Sequence, residues 1–182
     1  MSNIISFDEC KIFKEKDFSM SNGLTDVFID YLLISGSKIA NSISEKRIVV
    51  FFAEKQQSIV GIGNVGFDIT EIPWEKGTFE GDKQFILKTI EYAKELINTD
   101  YVINIFSYET SSESLIKIFN EFINLIEQMS VEYIDENNLY EWIASSDSSD
   151  PINIGFPKCE KHEIMLSLYG CKICNDMQQR NN

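Results

Sequence analysis

The chain has 182 residues, 43% of them apolar, which is enough to bury the core of about one domain and too much for general disorder. Its formal charge is −13, from 29 acidic and 16 basic side chains. Such a chain is repelled by the phosphate backbone that dominates nucleic-acid affinity and by anionic membrane surfaces, so its acid either meets a basic partner or only keeps the chain soluble. No apolar run approaches the roughly 20 residues needed to span a bilayer, and residues 1–6 lack the charged and apolar regions of a signal peptide. A cytoplasmic protein is expected.

In chain order, residues 1–20 are poorly periodic. Ile4, Ile5 and Phe7 suit the start of a strand, and Ile12, Phe13 and Phe18 are candidates to pin the segment to the core. From Leu24 the apolar positions Leu24, Val27, Phe28, Tyr31 and Leu32 recur at the spacing of one helix face, with Ile39 and Ile43 further on; Ser21 or Asn22 can cap it. Residues 47–53, Arg-Ile-Val-Val-Phe-Phe-Ala, have the β-branched and aromatic content of a strand buried on both faces. A turn at 56–58 would lead into a second strand at 59–63. Gly61, Gly63 and Gly66 invite comparison with a phosphate loop, but no helix opens directly after them and no Lys-Ser/Thr pair follows. They suit a strand end with close backbone packing.

An acidic loop follows, with Asp68, Glu71, Glu75, Glu80 and Asp82 around Pro73 and Trp74. A long helix is expected over 79–98, a strand over 101–108, and a helix introduced by the capping box Thr110-x-x-Glu113 with the stripe Leu115, Ile118, Phe119, Phe122, Ile126 and Met129. A shorter helix fits 139–144. The expected architecture is therefore α/β (α+β): a mixed sheet of three to five strands packed by three or four helices. It would occupy residues 1–144, with a Ser/Asp-rich linker at 145–157 and a small C-terminal finger at 158–182.

That finger carries the clearest chemistry. Cys159-x-x-His162-x8-Cys171-x-x-Cys174 places four zinc-binding side chains in two pairs, and a two-residue gap lets the backbone wrap one ion. Gly170 suits the tight turn before Cys171, and Ile164, Leu166 and Leu168 alternate as in a small hairpin. The pattern resembles a short zinc ribbon or treble-clef finger. A redox reading of Cys171-x-x-Cys174 lacks the strand-then-helix setting of a thioredoxin-like motif. Four protein ligands leave no coordination position for water, so a zinc ion here would be structural, and its binding would supply folding energy to the finger. Three thiolates and a divalent ion sum to −1. Cys10 stands apart and reads as an ordinary thiol.

The sole histidine is a ligand in this scheme, which removes His-based nucleophilic and general-base mechanisms, and no enzyme is expected. The carboxylates Asp68, Glu71 and Glu75 fit no metal motif. Residues 65–74, Val-Gly-Phe-Asp-Ile-Thr-Glu-Ile-Pro-Trp, followed by Phe79-Glu80 and by residues 83–88, Lys-Gln-Phe-Ile-Leu-Lys, resemble small bacterial immunity proteins encoded beside polymorphic toxins, over roughly 60–130. The resemblance implies an inhibitor that binds a toxin domain and blocks its active site. An acidic inhibitor suits a basic, nuclease-like toxin, with Asp68, Glu71, Trp74, Glu75, Glu80 and Asp82 as candidate contacts and Trp74 as the anchor, unless that Trp belongs to the core. The alternative is a finger that recruits nucleic acid or a larger assembly through Lys158, Lys161, Lys172 and Arg180, although Glu160, Glu163 and Asp176 nearly cancel those charges.

Overall fold

The computed structural model describes residues 3–7, 17–55, 66–97, 99–106 and 111–180. A two-residue pair, β1 (Ile4–Ile5) antiparallel to β2 (Phe18–Ser19), precedes the helices α1 (Asn22–Ile39), α2 (Ile43–Ala53), α3 (Phe79–Leu96), α4 (Asp100–Phe106), α5 (Ser112–Gln128), α6 (Glu136–Ser145) and α7 (Lys172–Arg180). The expected sheet of three to five strands is not seen among the described residues, and the fold is mostly helical.

Two expected strands are helices. Residues 47–53 lie in α2, because Ser42 forms a reciprocal capping box with Glu45 and starts a helix whose whole second half is buried. A short, continuous apolar run looks the same for a buried helix and a buried strand, since neither shows its period. Residues 101–106 lie in α4, with Asp100 in its first turn. The turn at 56–58, the strand at 59–63, Cys10, Thr110 and residues 107–108 fall outside the described residues.

α1 is the centre of the molecule. Ser21 caps it by accepting the Leu24 amide, and every residue from Val27 to Ser37 is buried, as befits a helix apolar nearly all round. It packs against α2, α3 and α5, and α3 packs on α5. Gly36 permits the close crossing with α2, since a Cβ there would lie 2.8 Å from Val49 Cγ2. Phe28 meets Phe122 edge-on at 5.3 Å, and Phe67 meets Phe122 likewise at 6.0 Å, so rings from α1, α5 and the 66–74 segment share one core. Gly66 runs against the backbone of Ile4, where any side chain would overlap the carbonyl, and Ser6 and Asp68 form a parallel bridge beside it. No helix among the described residues is long and apolar enough to cross a membrane.

Candidate metal centre

Within the segment expected to be a linker, 145–157, residues 147–157 form a series of hydrogen-bonded turns that lead into the finger, where Asp150 is buried and Phe156 takes a positive φ of 59°. A tight knuckle follows: the Cys159 amide donates to the Ile164 carbonyl, and the Glu163 amide donates back to Cys159, each at 2.8 Å. Glu163 sits at the knuckle's left-handed corner, φ 55°. Bridges between Lys158 and Met165 and between Ser167 and Gly170 close a short hairpin. Gly170, at φ 82°, supplies the turn that brings Cys171 to the start of α7. Cys171 and Cys174 then lie three positions apart on one helical face.

All four ligand atoms lie within 4.8 Å of one another. His162 offers Nδ1, which is 3.7 Å from Cys159 Sγ, 3.4 Å from Cys171 Sγ and 3.4 Å from Cys174 Sγ, and Cys159 and Cys174 sulfurs are 3.8 Å apart. A tetrahedral zinc ion with bonds of about 2.3 Å to sulfur and about 2.05 Å to nitrogen has S–S edges of about 3.8 Å and S–N edges of about 3.5 Å. Four of the six ligand–ligand edges have the lengths of such a tetrahedron, and the donors fit a soft divalent ion.

Its electrostatics show why a cation belongs there. Burial pushes the Cys171 and Cys174 thiols up, because a lone thiolate is poorly solvated in this setting. Burial acts the same way on Cys159, but the amides of His162 and Lys161 directed at its sulfur bring that thiol below its ordinary range. Burial and the charge of Lys161 hold His162 low, hence neutral and able to donate a lone pair. A divalent ion offsets the cost of bringing three thiolates together.

The finger is bonded into the helical body. Lys172 Nζ lies 2.8 Å from Asp30 on α1, with both side chains only 2% exposed, and 3.9 Å from Asp26. The Met165 amide donates to Ser37 Oγ at 2.9 Å, and Lys158 Nζ donates to the Ser37 carbonyl. Ile164, Met165, Cys171 and Ile173 belong to the same apolar cluster as α1. The sequence carried a signal for this: Asp30 interrupts an otherwise apolar stretch of a buried helix, and a buried carboxylate requires a partner. Two of the lysines considered for nucleic-acid contact, Lys158 and Lys172, are thereby committed to α1.

The acidic stretch does not form one open patch. Trp74 is 2% exposed, donates from Nε1 to the Ile69 carbonyl at 2.7 Å, and meets Phe79 edge-on, so it is a core residue and not an exposed anchor. Asp82 is 1% exposed and accepts a hydrogen bond from Thr78. Asp68 and Glu71 cap the 3₁₀ turn at 69–71, with Glu71 also paired to Lys55, and Glu75 lies 3.8 Å from Arg47. Glu80 is exposed in the first turn of α3. Comparison of the chain with family models, with curated proteins and with solved structures found no match.

Proposed function

We propose that this chain is a protein-binding module of a reducing compartment such as the cytoplasm, with a structural zinc ion in the Cys159–His162–Cys171–Cys174 cluster and an acidic exterior that engages a basic protein. An immunity-type inhibitor of a basic, nuclease-like toxin is the form of this reading that the resemblance over 60–130 favours. The observation that carries it is the charge of −13 joined to four ligand-type side chains gathered closely enough to hold one ion. Zinc bound there would organise the finger; the acidic surface would steer and complement a cationic partner. Burial of Trp74 removes the expected anchor but not the charge.

The tagged chain is to be recovered from its own cells at moderate salt, and its companions and metal identified by mass spectrometry. One zinc ion per chain and a single small basic protein released at high salt are the expected results. Recovery of RNA or DNA in place of a protein would overturn the partner reading, and a chain that binds no zinc would overturn the metal assignment.

A further inference from the structure

A cleft of about 770 Å³ lies at the seam between the finger and the helical body, within the size range that accommodates organic groups. Ile34 of α1 and Leu96 of α3 contribute apolar lining, Tyr92 and Tyr101 contribute aromatic surface, and Glu160 and Glu163 bring carboxylates from the finger. Lys38 and Lys158 also border the cleft. The Lys158 ammonium is already bonded to the Ser37 carbonyl, and Lys38 is exposed and can extend into water on its long stem.

The remaining electrostatics favour a cation. The helices α1 and α3 end near the cleft residues Lys38 and Leu96, and their C-termini carry partial negative charge, partly offset by the N-terminus of α4, which opens between the lining residues Thr99 and Tyr101. The adjoining metal cluster with zinc would carry a net charge of about −1. Phenol faces attract ammonium and guanidinium groups. Glu163 stands on the left-handed corner of the knuckle, its amide bonded to the Cys159 carbonyl, so the fold of the metal-binding turn fixes where its backbone sits.

We propose that this cleft receives a cationic side chain, a guanidinium or an alkylammonium, presented by a protein partner. The identity of the donor rests on the protein-binding reading above; the chemistry of the cleft does not. The test is a titration of the metal-loaded full chain with N-acetyl-arginine amide, followed by amide chemical shifts, with N-acetyl-glutamine amide as the neutral control.

Saturable shifts confined to Tyr92, Leu96, Tyr101 and Glu163 are expected with the arginine compound and absent with the control. The double variant Glu160→Gln/Glu163→Gln, verified to hold one metal ion per chain, should bind the arginine compound about tenfold more weakly. Equal shifts with the neutral compound, shifts scattered over the exposed carboxylates of α3 and α5, or an unchanged affinity in the double variant would each overturn the assignment. A basic partner that binds wild type and double variant equally overturns the cleft alone, whereas localised binding of the arginine compound with no basic protein recovered from cells overturns only the partner reading.

Discussion

Asp30 and Lys172 show how much one pair of side chains can decide. Each is nearly fully buried, and each would be costly alone. Asp30→Asn should destabilise the protein by about 3–5 kcal/mol by removing the buried ammonium's nearer counter-charge and leaving only Asp26 at 3.9 Å. The double variant Asp30→Leu/Lys172→Met should recover most of that loss, as measured by denaturant unfolding. Trp74→Ala should cost about 3–5 kcal/mol by opening a cavity and removing one of the two hydrogen bonds that the Ile69 carbonyl accepts. A variant that melts normally but loses a partner would return Trp74 to the interface. Glu54 offers a pH test. Burial raises its carboxyl, and the neighbouring Asp150 adds to this, against the lowering effect of the hydrogen bond from Trp142. A folded-state value above the unfolded one means that the native protein holds the proton more tightly. Its contribution is therefore full below about pH 4.5 and is lost as pH rises through the folded value. Glu54→Gln, which can still accept from Trp142, should melt higher at neutral pH and show a flatter decline above pH 4.5. A variant whose melting temperature follows the wild-type pH curve would show that Glu54 does not set that slope.

At the scale of elements, legibility followed periodicity. α1, α3 and α5 were expected close to where they lie, since each shows an apolar stripe at helical spacing, and the shorter helix fitted to 139–144 falls within α6. α2 was misread because Ile48 to Ala53 is buried on every side, which erases the period, while its capping box at Ser42 and Glu45 passed unused. The candidate metal site was legible because its signal is residue type and spacing, which survive without any knowledge of the surrounding fold. What the finger packs against was not legible, because contacts such as Met165 to Ser37 join positions 128 apart. Two predictions belong here. Cys174→Ser should lower zinc affinity by orders of magnitude, because a hydroxyl is a poor substitute for thiolate, and should loosen α7 as seen by amide exchange. Gly36→Ala should cost about 1–3 kcal/mol by forcing α1 and α2 apart at Val49, and a variant as stable as wild type would show that this crossing yields easily.

The finger and the helices share an apolar cluster among the described residues. Removing the ion should therefore not release a free tail. Chelation is expected to lower the melting temperature of the entire chain in a single transition and to expose α1 amides around Ser37 to exchange. A chelated protein that keeps α1 fully protected would separate the finger from the core. The same joining has a consequence in time. α1 is made early by the ribosome and its Asp30 has its ammonium partner only when Lys172, far along the chain, arrives. Closing so wide a loop is entropically slow. Until then the helix carries a carboxylate it cannot comfortably enclose, and an ion bound at the candidate cluster would act as a late latch that holds the two ends of the chain together.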